Sequence, residues 1–135
     1  MVHVAGSNGK GSVALKTANA LHFCGYKVGL FVSPHISSFR ERVQINGQPI
    51  SEVQVEQHLQ EIFDLCERED IPATFFEVTT ALAFHVFGKE NVDAVVLETG
   101  LGGYSAPFRD IQLVSNPSFS VRCHSALADL DVCFA

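Results

Sequence analysis

Apolar residues recur along this chain with two periods, and an element begins or ends where the period changes. Val2-His3-Val4 is a short apolar run that leads into a glycine-rich turn. From Ser12 to about His22, Val13, Ala14, Ala18 and Leu21 then follow at helical spacing. Gly25 suits the position just past that helix. Val28-Gly29-Leu30-Phe31-Val32 is almost continuously apolar, the pattern of a strand covered on both faces. The opening thus predicts strand, loop, helix, strand, the unit of a parallel sheet.

From Ile36 to Ser51 the pattern shortens. Phe39-Arg40-Glu41-Arg42 reads as a charged loop, and Val43, Ile45 and Asn46-Gly47 predict a small β excursion with a tight turn. Ser51 and Gln54 form a capping box, and Val55, Leu59, Ile62, Phe63 and Cys66 predict an amphipathic helix from Glu52 to about Glu69. After the break at Ile71-Pro72, Thr74 and Glu77 form a second capping box. It opens a helix to about Phe87 that is apolar nearly all round, with Gly88 suiting its end. Ala94-Val95-Val96-Leu97 is the next buried strand, and it delivers Glu98 to its carboxyl end. After Gly103 the periodicity fades, and Ile111–Val114 is the one stretch there that reads as a strand.

Composition narrows the class. The chain has 135 residues, enough for one modest domain with a real core. It is 47% hydrophobic and 18% charged, which argues for a folded chain. A net charge of −6 argues against broad binding to nucleic acid or anionic membrane. No apolar run is long enough to span a bilayer, and no basic-then-apolar leader opens the chain. The cysteines at 24, 66, 123 and 133 lack C-x-x-C spacing and read as reduced thiols. Met1 stands directly before the first strand, an abrupt start that leads us to expect a missing N-terminal part.

The chemistry gathers at the strand tips, where ligands bind in sheets of this kind. Gly6-Ser7-Asn8-Gly9-Lys10-Gly11-Ser12 is a shortened variant of the phosphate-binding loop, with Gly11 set between the lysine and the hydroxyl. Its backbone N–H groups and the following helix N-terminus suit a phosphate, Lys10 can reach a terminal phosphate, and Ser12 can offer a hydroxyl to Mg²⁺. The plain alternative is a turn closing a strand–helix unit, with Lys10 solvated. Ser33-Pro34-His35 and Glu98 fall on the same rim. A carboxylate, a hydroxyl or two and phosphate oxygens make a reasonable Mg²⁺ shell. Against this, Ser33 could be a turn former, Glu98 a carboxylate capping nearby N–H groups, and His35 a loop histidine. Arg40 and Arg42 could form a solvated charge cluster or meet an acidic substrate. Glu77 already has a local job in its capping box. His22, His58 and His85 read as structural.

Five segments in order resemble the folylpolyglutamate synthases and their bifunctional relatives with dihydrofolate synthase activity, within the wider Mur ligase group. They are His3–Ser12, Phe31–His35, Phe39–Gly47, Thr74–Glu77 and Leu97–Gly103. The resemblance implies an α/β fold: a P-loop-type, mostly parallel sheet with flanking helices, here an incomplete Mur-ligase-like central domain over residues 1–103. It implies an ATP-dependent ligase in which a folate carboxylate takes the γ-phosphoryl group and the amine of L-glutamate displaces phosphate. Carried over motif by motif, Gly6, Ser7, Asn8, Gly9, Lys10, Gly11 and Ser12 match the ATP loop, with Lys10 the catalytic cation. Ser33 and Glu98 match Mg²⁺ ligands. Phe76 and Glu77 match a pteridine-binding stretch, and Arg42 lies in a loop near the folate site. Folate or its polyglutamates and glutamate are the implied partners, with no nucleic acid or membrane. A monomer in the cytosol is expected, or in the mitochondrion if an N-terminal extension is missing.

The departures are specific. An Asp-Ala-Thr-Asn-like segment is expected soon after Gly102-Gly103, and Tyr104-Ser105-Ala106-Pro107 stands there instead. His124 has no matching context for the family's further metal-ligating histidine. The glutamate-binding domain and the segment before the first strand have no counterpart. We therefore expect a fragment, with 104–135 a divergent, poorly ordered tail, marginal stability and no ligase activity. A non-catalytic ATP-binding remnant and another Mur-type amide ligase are the competing readings.

Overall fold

The computed structural model describes residues 1–100 and, beyond them, the backbone course of three short strands. The first five strands form one sheet: β1 (Val2–Val4), β2 (Val28–Phe31), β3 (Val43–Ile45), β4 (Gln48–Pro49) and β5 (Ala94–Glu98). Their order is β1-β5-β2-β3-β4. β1, β5 and β2 are parallel, whereas β3 and β4 are added antiparallel. The β3–β4 turn is Asn46-Gly47, both at positive φ (51° and 77°), as a two-residue hairpin requires.

Strand alternation decides what each face meets. Val28 and Leu30 on β2 and Val96 on β5 pack against Ala14 and Ala18 of α1 (Lys10–Phe23). Phe31, Val95 and Leu97 have the opposite parity and pack against α3 (Phe75–Lys89), which is covered in turn by α2 (Glu52–Arg68). Phe31, Leu82, Val86, Phe87 and Leu97 are fully buried there. Each such side chain contributes roughly 1.5–3 kcal/mol of hydrophobic burial. The result is a three-layer helix–sheet–helix arrangement with β1 at one edge of the sheet, as the apolar runs predict.

Both expected capping boxes are present. Ser51 Oγ accepts the Gln54 N–H (3.2 Å), and Glu77 Oε2 accepts the Thr74 N–H (2.8 Å) and hydroxyl (2.7 Å). Two expectations are corrected. Gly88 does not end its helix: α3 runs to Lys89, and Asn91 takes the left-handed conformation at φ 48°. Asparagine tolerates that region, so the chain can keep a glycine inside the last helical turn. Phe39–Arg42 is not an open charged loop but a turn of 3-10 helix, and Arg42 within it is buried.

Beyond residue 100, β6 (Gln112–Val114), β7 (Ser120–Arg122) and β8 (Val132–Cys133) form an antiparallel sheet in that order. The strand expected at Ile111–Val114 is among them. The expected boundary after Gly103, the expected disorder of 104–135 and the reading of His124 lie outside the described residues. Among the described residues, Cys24 and Cys66 are free thiols, and no helix is long and apolar enough to cross a membrane.

Candidate active site

The glycine-rich loop turns from β1 into α1 through two positive-φ glycines, Gly6 (152°) and Gly9 (76°). Gly9 is the N-cap, and no side chain caps the helix; its first turn also lacks an acidic residue. α2 and α3 each close their N-termini with a side-chain box, so α1 differs in leaving its first N–H groups without a side-chain acceptor. Those N–H groups carry the positive end of the helix dipole. Ser7, Asn8, Gly9 and Ser12 are exposed. Among the described residues, Lys10 Nζ makes only a long contact to the Ser7 carbonyl (3.4 Å), which leaves its ammonium open to an anion.

Glu98 shares the parity of Val96, so β5 aims its side chain at the α1 face. There it meets the first turn of the helix. A Cβ on Gly11 would stand 3.5 Å and 3.6 Å from the two carboxylate oxygens. From the next strand, the Ser33 N–H donates to Glu98 Oε2 (3.0 Å). The tip of β5 is tied to β1 through Val4, whose carbonyl accepts both the Thr99 N–H (3.0 Å) and the Thr99 hydroxyl (2.9 Å). Glu98 is only 7% exposed, and among the described residues no lysine or arginine forms an ion pair with it. A buried carboxylate without a cation is costly unless something positive joins it. An uncapped helix N-terminus and a carboxylate open to a cation, side by side, fit a phosphate with a divalent metal.

Loop, Ser33 and Glu98 are therefore brought together, and Lys10 enters beside Gly11 on the same turn. The other candidate residues lie on the α3 side. Phe76 packs edge-on against Phe31 (centroids 6.2 Å) and lies 3.8 Å from where a Cβ on Gly100 would be. The Glu77 carboxylate is engaged by Thr74.

Arg42 belongs to a patch the sequence reading underrated. Its Nε donates to His35 Nδ1 (2.8 Å), and its guanidinium lies 5.4 Å from the centroid of the Phe75 ring. Phe39 stands against both His35 and Phe75. The solvated-cluster reading is corrected for Arg42, which is buried and paired with the loop residue His35. Glu41 organises the patch: its carboxylate accepts N–H groups of Ile36 (2.8 Å), Ser38 (2.9 Å) and Ser37 (3.2 Å). Those bonds hold its carboxyl below the usual carboxylate range. The signal for it was present, since Ser38-x-x-Glu41 is a capping-box pattern.

No family model matches the chain. Among curated proteins it is similar to the mitochondrial folylpolyglutamate synthase of Bos taurus, 40% identical over 109 residues, covering 76% of this chain and 19% of the relative. Among solved structures it is similar to the folylpolyglutamate synthase of Thermotoga maritima, 45% identical with a TM-score of 0.72, over 75% of this chain and 25% of that one. A second structure is a bifunctional folylpolyglutamate synthase/dihydrofolate synthase with Mn, AMPPNP and L-glutamate bound. It is 39% identical with a TM-score of 0.71, over 76% of this chain and 25% of that one. The chain spans about a fifth of the length of the curated relatives it matches. By sequence and by fold together, the matched part of this chain belongs to the folylpolyglutamate synthase/dihydrofolate synthase family.

Proposed function

We propose that this chain supplies the ATP- and metal-binding part of a ligase that joins L-glutamate to folate. The observation that carries the reading is the buried Glu98 carboxylate, held by the Ser33 N–H and set against Gly11 at the uncapped start of α1. In this reading the loop Gly6–Ser12 binds the ATP phosphates through backbone N–H groups, and Lys10 offsets charge on the γ-phosphoryl group as it moves. Glu98 and the Ser33 hydroxyl would hold Mg²⁺, which would supply charge neutralisation at the phosphates. The folate carboxylate accepts the phosphoryl group as an acyl phosphate, and the glutamate amine displaces phosphate to form the amide. Phe76 offers an aromatic face to the pteridine, and Arg42 and Glu77 lie on the folate side. The manganese and AMPPNP bound to a relative support a divalent metal and ATP here, and its bound L-glutamate supports that substrate.

The part of each relative that the chain matches is about a fifth of that relative's length. We therefore expect no glutamate-dependent phosphate release from the 135 residues alone. We place the protein in the cytosol or, as with the bovine relative, the mitochondrion, and as a monomer.

Calorimetry with Mg-ATP tests the core of the reading. We expect binding that needs the metal, and a Glu98→Gln variant that loses at least about tenfold in affinity, or 1.4 kcal/mol. ATP binding that ignores both the metal and the substitution would overturn it. ATP binding with no coupling to added folate would favour the non-catalytic remnant.

A further inference from the structure

Away from the strand tips, α2 and α3 bring together a second set of ligand-type side chains. His58 and Glu61 are three residues apart on α2 and so share a face. His85 meets them from α3, nine residues past Phe76, or about 14 Å along that helix at 1.5 Å per residue. One ligand atom from each of the three lies within 4.8 Å of the others. His85 Nε2 is 3.0 Å from Glu61 Oε2, and the His58 ring stands edge-on to the His85 ring, centroids 4.8 Å apart. His58 Nδ1 is buried without a hydrogen-bond partner among the described residues. Burial first, and the neighbouring His58 second, hold the His85 imidazole below the usual histidine range, with Glu61 pulling the other way. Neutral imidazole is the form that ligates metals.

We propose that His58, Glu61 and His85 form a binding site for one Zn²⁺-class ion that clamps α2 onto α3. Two imidazoles and a carboxylate suit zinc, cobalt or nickel, whereas magnesium prefers an all-oxygen shell. Tetrahedral ligands at 2.0–2.2 Å from zinc stand roughly 3.5 Å apart, so the widest present separation of 4.8 Å must close by about 1.3 Å. Rotation of Glu61, which is exposed, and of the half-buried His58 supplies that movement. Water would complete the four-coordinate shell. Without a metal, the His85–Glu61 contact and the edge-on imidazoles already link the two helices.

The test uses the metal-free 135-residue chain titrated with Co²⁺ and Zn²⁺. We expect one equivalent bound with a dissociation constant on the order of micromolar, and a melting temperature that rises on saturation. The cobalt spectrum should show tetrahedral ligand-field bands without thiolate charge transfer, and millimolar Mg²⁺ should not compete. His58→Gln and Glu61→Gln lie at the less buried positions and should keep the fold, while each weakens the ion by about tenfold or more. Both should leave Mg-ATP binding unchanged. The proposal is overturned by no binding at micromolar metal, by thiolate bands that assign the ion to cysteines, or by affinity in both variants unchanged from that of the parent chain.

Discussion

A methyl group at residue 29 would overfill the α3 side of the sheet. Gly29 sits mid-strand in β2, paired to Ile45 on one side and Val95 on the other. A Cβ built there stands 2.6, 2.7 and 2.8 Å from Cδ1, Cε1 and Cγ of Phe87. Carbon atoms pack best at roughly 3.5–4.0 Å, so the ring edge would have to retreat by about 1 Å. It has little room to do so. Phe87 is fully buried, and Phe84 stands edge-on to it at 6.5 Å. Overpacking a close-packed core costs about 1–3 kcal/mol, and overlap with three ring atoms at once puts Gly29→Ala near the upper end. With a urea slope of about 1.5 kcal/mol/M, that lowers the unfolding midpoint by about 2 M. Far-UV circular dichroism in urea reads it directly. Phe87→Leu, destabilising by itself, should absorb much of the penalty, so the double variant should fall short of additivity by about 1.5 kcal/mol or more. An unchanged midpoint in Gly29→Ala, or a strictly additive double variant, would refute the claim that this glycine exists to seat the ring.

Gly11→Ala should do the opposite. Its methyl makes an ordinary contact at 3.5 Å with the Glu98 carboxylate, so folding stability should hold or rise by up to about 1 kcal/mol, while Mg-ATP affinity falls by at least about tenfold; equal affinity by calorimetry would refute a ligand role for that space. Glu41, held below its ordinary value of 4.5, stabilises the 36–42 turn fully above that value, and the contribution is lost as pH falls through the lowered one. Amide signals of Ile36, Ser37 and Ser38 should therefore shift together in acid, and Glu41→Gln should abolish that acid transition. Thr74→Ala should cost about 1 kcal/mol of stability, read by the same urea titration. Glu77→Gln keeps a residue able to complete the box, so its melting should stay within about 0.5 kcal/mol while folate affinity drops; unchanged folate affinity would limit Glu77 to capping.

Local chemistry was legible in the chain, and geometry between distant segments was not. Ser51 with Gln54 and Thr74 with Glu77 mark helix starts because a capping box needs only four residues. Asn46-Gly47 marks a hairpin for the same reason. Gly88 misled because a glycine past a helical stripe usually ends it, yet Asn91 can also supply the left-handed turn. Gly29 vanished into an apolar run, since only the packed sheet brings Phe87 over it. Arg42 looked solvated because its partners, His35 and Phe75, lie on either side of it in sequence and meet only after the β3–β4 excursion folds. His58 and His85 are on separate helices, and the rotation of one helix against the other has no local signature.

The position of the candidate chemistry follows from β5 alone once its neighbours are known. The start of the strand is pinned by Lys27: its N–H donates to Asp93 Oδ2 (2.7 Å), and its carbonyl accepts the N–H groups of Asp93 and Ala94. From there the two-residue period carries Val95 and Leu97 to α3 and Val96 and Glu98 to α1. A slip of one residue would turn the carboxylate toward Phe31 and Phe76 and leave Gly11 facing Leu97 or Thr99, neither of which can hold a cation as a carboxylate does. The apolar residues that make the core thus also select which side of the sheet receives the charge. That selection is why a lone acidic residue at the end of an apolar run, unremarkable by itself, becomes a metal-ligand candidate when the opposite helix begins with glycines and has no cap of its own.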